Sequence, residues 1–571
     1  MKYLKRLFSL SLVATMLLFA ACGSTPPTTT NATVPEAVKD AKPEEESADS
    51  ADAEYGEVVV NQATTEIPAG ESISQEQDIV AAMHSDLSTL DPMDTPDTLS
   101  GGIQRLILDG LYGFDDDMNL VPMLATGYEV NDSATEYVLT LRQGISFTDG
   151  TPWNADAAIA NIAKWADESL QLRRTSFLSD VLGSWEALDE YTVKITLKKP
   201  FGAFASSLAH PATIIMSPKQ IEAGVEVAGS NPVGTGQYTF VEWIPGDHLT
   251  IALNKDWWGY KPEFFEDGKP FVEADAGFKS ITFKPVSEST TRTAMIQSGE
   301  AQIIWNVPGA NVVALQEDPT ISVGIRKSLE AYYWFLNNTK APLDDKRVRQ
   351  AINYAIDKDA YKQVVGNGIG ELPTSVVGPV QFAKTEPIYQ YDPEKSKALL
   401  AEAGLADGFS FSILTSTSDL KIAEFFKQQL EVVGIDLELD IQDGGAIDDI
   451  IWGGDGQNLL ESVSSSWSAS TADADWALRP VFASELAPPE GFNLSFYNNP
   501  EFDQLLQDAL DTADPDTRRE IYAKAQDILW EDSPVVVTSL GNSTWATSGK
   551  IINVLLYPDD AINFRAARMS K

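Results

Sequence analysis

Between Tyr137 and Leu197 the apolar positions change period twice. Tyr137, Leu139 and Leu141 alternate with Val138, Thr140 and Arg142. Beyond a Gly144 turn, Ile145 and Phe147 continue the alternation to Asp149-Gly150, which predicts a hairpin-like β unit. Asn154 suits the N-cap of a helix running to Trp165, because Ala158, Ile159, Ile162 and Trp165 fall near helical spacing. Tyr191, Val193, Ile195 and Leu197 then alternate as a strand that stops before Pro200.

In the second half the order is helix, glycine, strand. Asp344 and Asp345 can cap a helix whose apolar face is Val348, Ala351, Ile352, Ala355 and Ile356. Asp392-Pro393 opens another that ends at Gly404. Ile422, Phe425, Phe426, Leu430 and Val433 form a third stripe, closed by Gly434, and Ile435, Leu437, Leu439 and Ile441 follow as a strand. This order predicts α/β lobes rather than a sandwich or a helical bundle, and no internal repeat is visible.

The N-terminus breaks the pattern. Lys2, Lys5 and Arg6 precede a mostly apolar run from Leu7 to Ala21, which ends at Cys22, the only cysteine of 571 residues. A spanning helix needs roughly 20 apolar residues, and Ser9, Ser11 and Thr15 interrupt this shorter run, so residues 1–21 read as a secretory signal. Leu18-Phe19-Ala20-Ala21-Cys22 resembles a bacterial lipobox, with Phe19 where that pattern usually has Leu. The resemblance implies a lipidated Cys22, and then no free thiol and no disulfide. Residues 22–77 are rich in Thr, Pro, Ser, Ala and Glu and read as a disordered acidic tether with a root-mean-square reach of roughly 40 Å.

The remaining length exceeds one small core and calls for two large lobes or three units. A formal net charge of -43 repels nucleic acid and anionic headgroups, which excludes both as expected partners. Enzyme signatures are poor. His84, His210 and His248 are far apart, HExxH and GxSxG are absent, and there is no Gly-rich phosphate loop, so neither a metal nor another cofactor is expected. Ser418-Asp419-Leu420-Lys421 fits SxxK, but its KTG companion is missing.

Five blocks in order resemble the extracytoplasmic solute-binding protein family 5, the oligopeptide-, dipeptide- and nickel-binding lipoproteins of ABC importers. They are Thr135 to Trp165, with Leu141-Arg142 and Asp149-Gly150-Thr151-Pro152; Pro232 to Gly236 with Tyr238 and Trp257-Trp258-Gly259; Ser298-Gly299-Glu300; Arg347 to Ala351 with Ala355-Ile356-Asp357; and Tyr391 to Glu394 with Leu399-Leu400 and Ala403-Gly404. The resemblance implies an α/β, two-lobed clamp of the cluster C type with an extra inserted subdomain. Lobe I would comprise 78–111, 232–329 and 534–571, the insert 112–231, and lobe II 337–533. Hinges are expected near Tyr332 to Asn338 and Pro534 to Leu540.

The resemblance also implies where a ligand sits. One wall would come from Thr95, Pro96 and Thr98, after Leu90-Asp91-Pro92; a second from Trp305 and Asn306; a third from the segment beginning Trp467-Ser468. In peptide-binding relatives an aspartate three residues after that tryptophan pairs with the peptide's ammonium, and here Ser470 stands in that place. Asp473 or Asp475 could substitute, or cap a helix containing Trp476 and Leu478, or the ligand could lack an amine there. Arg479 reads as a structural ion pair or a contact for a ligand carboxylate. Trp467 and Trp305 read as pocket rings or core, Tyr332 to Trp334 as hinge packing, and Phe177 as a further pocket candidate. The expected function is capture of a short peptide by a lipid-anchored, extracytoplasmic monomer that delivers it to an ABC permease. A nickel chelate, an opine or an oligosaccharide on the same fold, a tethered sensor and a surface hydrolase remain alternatives.

Overall fold

One ten-stranded sheet runs through the molecule. The computed structural model describes residues 72–95, 97–115, 119–265, 267–385 and 389–570. Cys22, the signal and most of the tether lie outside them, as does Pro96. The sheet order is Ile435–Ile441, Phe409–Thr415, Ser462–Ser468, Ile321–Leu336, Val535–Ser548, Ile303–Trp305, Asp78–Met83, Ser280–Pro285, His248–Leu253 and Tyr238–Ile244. Two long central strands, Ile321–Leu336 and Val535–Ser548, pair antiparallel along most of their length and carry the chain from one half to the other. Their register shifts between Lys327 and Ala331 and again between Tyr332 and Tyr333. Such irregularities bend and twist a ladder locally. Of the segments expected as hinges, Tyr332 to Leu336 and Val535 to Leu540 therefore lie inside paired strands, and Asn337, Asn338 and Pro534 just outside them.

Residues between Ala125 and Leu197 form a separate four-stranded sheet, ordered Ala125–Val130, Glu136–Leu141, Thr192–Leu197, Leu182–Asp189. The helix Ala155–Ala166 is capped by Asn154, whose side chain accepts from the Ala157 N–H at 3.1 Å. The expected second hairpin arm is not a strand: Ile145 and Phe147 are buried in a turn closed by a single Ser146 to Pro152 bridge. Further along, the helices Lys346–Ala355, Pro393–Glu402 and Leu420–Glu431 and the strand Ile435–Ile441 follow the apolar stripes read from the chain. Described residues before Gln77 already pair with the folded body. Ile73 bridges Ser570, and Gln75 Nε2 donates to the Ala274 and Ala276 carbonyls at 3.0 and 2.7 Å.

Asp109, fully buried, explains both parts of one of the sequence blocks. Its carboxylate accepts from Thr235 Oγ1 at 2.9 Å, from the indoles of Trp257 and Trp258 at 3.2 and 2.7 Å, and from Arg565 at 2.7 Å. A side chain at Gly234 or Gly236 would meet the Ile107 carbonyl at 2.5 Å, so this close approach requires glycine. The Pro-Val-Gly-Thr-Gly and Trp-Trp-Gly parts thus converge on one buried acid, which also anchors the C-terminal segment.

Candidate functional site

The first wall of the cleft is built from Leu90-Asp91-Pro92. Asp91 caps a short 3-10 turn by accepting from the Met93 N–H at 3.0 Å, and it receives the buried Lys164 ammonium at 2.6 and 2.7 Å. That ion pair ties the helix Ala155–Ala166 to the loop leading into the cleft. Thr95 turns inward, donating to the Asp91 carbonyl at 2.9 Å and accepting from Gln104 Nε2 at 2.6 Å. It shapes the wall without lining the cavity. Asp97 caps the helix Thr98–Ile107 through the Ser100 N–H at 2.8 Å.

Asp97, Thr98 and Leu99 line a cavity of about 1010 Å³, counting its open mouth. Its other walls are His84 and Ser85, Trp305 and Asn306, Glu330 and Tyr332, Ser468, the Asn542 to Thr544 stretch, Leu556 and Asp560. Apart from Asp560, which stands in the turn between two short paired segments, these stand at strand ends, at helix starts or on the two central strands. Four sequence candidates, Thr98, Trp305, Asn306 and Ser468, are therefore brought to one cavity. Trp305 is nearly buried and meets Phe283 edge-on, so it is partly core as well. Asn542 Oδ1 accepts from the Gly370 N–H at 2.8 Å, which leaves its amino group as the donor for the cleft.

The third segment folds otherwise. Trp467 is half-buried among Trp476 and Phe492, and its indole donates to the Trp476 carbonyl at 2.7 Å. Asp473 is fully buried, caps the helix Ala474–Phe482, and accepts two bonds from Arg518 at 2.9 and 2.7 Å. Asp475 is held by Arg479 at 2.8 Å, and Arg479 also donates to the Leu506 carbonyl. Both acids offered as amine contacts thus have a structural arginine, and Arg479 is a structural ion pair. Neither acid lines the cavity, because the helix start draws Asp473 inward and the arginines neutralise both.

Ser470 meets His210, with Oγ and Nε2 3.0 Å apart. His210 Nδ1 accepts from the Ala212 N–H at 3.0 Å, so the proton sits on Nε2 and is donated to Ser470. Burial, with the Arg174 and Arg105 charges, holds this imidazole well below the ordinary histidine range. Phe177 lies tilted against His210 and meets Trp476 edge-on, which makes it part of the same packed contact.

Sequence reasoning missed His84, Asp97, Glu330, Asn542, Ser543 and Asp560. The Tyr557-Pro558-Asp559-Asp560 turn chemistry was visible, but nothing in spacing links it to Glu330, some 230 residues earlier. Asp560 sits at a left-handed backbone position, φ 66°, in the turn between the paired segments Leu555–Leu556 and Ile562–Asn563. It accepts from Ser543 Oγ. Burial pushes its carboxyl up to about 7, Glu330 and Asp559 add to the rise, and the Ser543 bond opposes it.

A polar cleft walled from both halves of one sheet, with a smaller sheet attached to one side, is the architecture of a two-lobed solute-binding clamp. Residues 119–487 match the family model described as bacterial extracellular solute-binding proteins, family 5 middle. The glutathione-binding protein GsiB of Escherichia coli K12 is 36% identical over 496 residues, 86% of this chain and 94% of that protein, and its Salmonella typhimurium counterpart is 36% identical over 493. Among solved structures, a Helicobacter pylori periplasmic binding protein, DppA, in complex with the peptide STSA is 26% identical with a TM-score of 0.70, covering 87% of this chain and 98% of its own. The Listeria monocytogenes binding protein CtaP shares the fold at 22% identity, TM-score 0.76, covering 87% and 100%. The chain belongs to the family 5 extracellular solute-binding proteins and is a substrate-binding component of an ABC importer rather than an enzyme.

Proposed function

We propose that this protein captures a short peptide of about the size of glutathione between two lobes and presents the closed form to its permease, tethered outside the cytoplasm through lipidated Cys22. The observation that carries the reading is the 36% identity to glutathione-binding proteins along 86% of the chain. The room inside the cavity, about 400 Å³ once the open mouth is left out, is in keeping with it, since small-ligand sites enclose roughly 300–1,000 Å³. The lobes are those expected from the sequence, 78–111, 232–329 and 534–571 against 337–533, with the insert between. Thr98, Trp305, Asn306 and Ser468 contact the ligand, and Thr95 supports them. A ligand touching both halves favours closure by its differential affinity for the closed state.

Thermal unfolding of the full chain against reduced glutathione, the tetrapeptide Ser-Thr-Ser-Ala, single amino acids, nickel-histidine and sugars tests the ligand class. Ligand at 100 times its Kd adds roughly 2.7 kcal/mol. A midpoint raised only by non-peptide solutes overturns the peptide reading. Radiolabelled palmitate incorporation that persists in Cys22→Ser removes the anchor.

A further inference from the structure

The cleft keeps no acid for a ligand amine where the sequence offered one. Asp473 and Asp475 are held by Arg518 and Arg479, and Ser470 faces His210. Of the three carboxylates that line the cavity, Asp97 is taken up by the Ser100 N–H and hydroxyl at the start of its helix, which leaves Glu330 and Asp560. Glu330, on the central strand Ile321–Leu336, accepts from Ser466 Oγ at 2.6 Å and from the Tyr332 hydroxyl at 2.7 Å. Asp560, on the hairpin turn of the C-terminal segment, accepts from Ser543 Oγ.

All of these donors are neutral hydroxyls. Among the described residues lining the cavity there is no Lys or Arg, and nearby cations are engaged elsewhere: Arg105 with Asp559 at 2.8 Å, Lys327 with Glu371 at 3.4 Å. Two acids close enough for one to weaken the other's acidity, with no counter-cation, are costly in a partly desolvated cleft. Two enclosed polar atoms of wall residues, His84 Nδ1 and Ser468 Oγ, have no hydrogen-bond partner. Among the described residues no group of three or more His, Cys, Asp or Glu side chains is arranged to hold a metal ion, which favours an organic cation.

We propose that Glu330 and Asp560 together receive the ammonium of the ligand, so that the cleft selects peptides with a free amino group. This rests on the short-peptide reading and names the pair that discriminates within it. The amine supplies the charge that the two carboxylates lack, and its three donors match oxygens presented from the central strand and from the C-terminal turn. Because those elements are far apart in the chain, the contact also locks the C-terminal segment against the sheet at the moment of capture.

The test is calorimetric titration of the full chain with reduced glutathione and Ser-Thr-Ser-Ala, each also in N-acetylated form, repeated with Glu330→Gln and Asp560→Asn. Asn tolerates the left-handed backbone at 560, so the second variant changes charge with little backbone cost. Charge-assisted bonds of roughly 1.5–3 kcal/mol correspond to about 10- to 100-fold in Kd. We expect that loss for the free amines in each variant, an equal loss on acetylating the peptide for the wild type, and no further loss when acetylated peptide meets either variant. Wild-type protein that binds acetylated and free peptides equally overturns the assignment, needs no variant, and leaves the peptide reading standing. Variants that bind free amines as the wild type does overturn it in the same way. A wild-type chain that binds no peptide overturns both.

Discussion

Changing Asp473 to Asn separates a structural acid from a ligand contact. Asn still caps the helix Ala474–Phe482, so the substitution removes charge and little else. What remains is Arg518, 5% exposed at its side chain, with two of its bonds weakened and its charge uncompensated against the Phe382 and Tyr522 rings. Breaking one partner of a buried pair costs about 3–5 kcal/mol. With an unfolding entropy of about 2.1 cal/mol/K per residue, 4 kcal/mol lowers the midpoint by about 4 °C if roughly 500 residues melt as a unit, and by about 10 °C if a lobe of roughly 200 melts alone. Differential scanning calorimetry of the unliganded protein reads this directly. Arg518→Met in the Asp473→Asn background should recover part of the loss, because two neutral groups no longer leave a buried charge unpaired. The reasoning is refuted if Asp473→Asn melts within 1 °C of the wild type while its affinity for glutathione collapses. Asp473 would then face the ligand.

Affinity for free-amine peptides should rise between pH 5.5 and 7 and flatten above, because an ammonium favours the ionised form of Asp560, whose carboxyl sits at about 7 under the influence of burial, Glu330 and Asp559. Titrations in two buffers of different ionisation heat should show proton release below pH 7, and a flat profile contradicts the assignment. Without ligand the sign is opposite: the folded state keeps a proton that the unfolded chain, at its ordinary 3.8, gives up, so this group's contribution to stability declines from about pH 4 to about 7. His210 should stay neutral by NMR through the ordinary histidine range, since its value is depressed by burial, Arg174 and Arg105; a midpoint at 6.5 or above refutes that depression. Its depressed value also means that stability falls as pH drops below 6.5, where the unfolded imidazole takes a proton first. Asn154→Ala should cost about 1 kcal/mol in urea unfolding through the lost cap at Ala157, with ligand affinity unchanged.

The parts of this protein legible in its sequence are those whose signals are local. Amphipathic stripes and caps place the helices at Asn154, Asp345 and Asp392 because a 3.6-residue period and an N-cap are written within a few positions. The alternation at Ile145 and Phe147 misled for the same reason: a buried turn can place every second residue inward without a partner strand. The cavity walls that resemblance supplied, Thr98, Trp305, Asn306 and Ser468, do meet at one cavity. Its charges were not legible. Asp473 looked free because Arg518 lies 45 positions away, and no period or motif couples a helix cap to a later helix, whereas the partner of Asp475, Arg479, stands one helical turn on and was within reach of the sequence. Glu330 and Asp560 looked like surface acids in a chain of net charge -43, where one carboxylate more carries no information. Only the ladder between Ile321–Leu336 and Val535–Ser548, continued into the Leu555 to Asn563 hairpin, sets them in one field. Helical arginines thus take up Asp473 and Asp475, while the strand pairing presents Glu330 and Asp560 on the cavity wall, so the proposed amine contact rests on which carboxylates the fold leaves without an arginine.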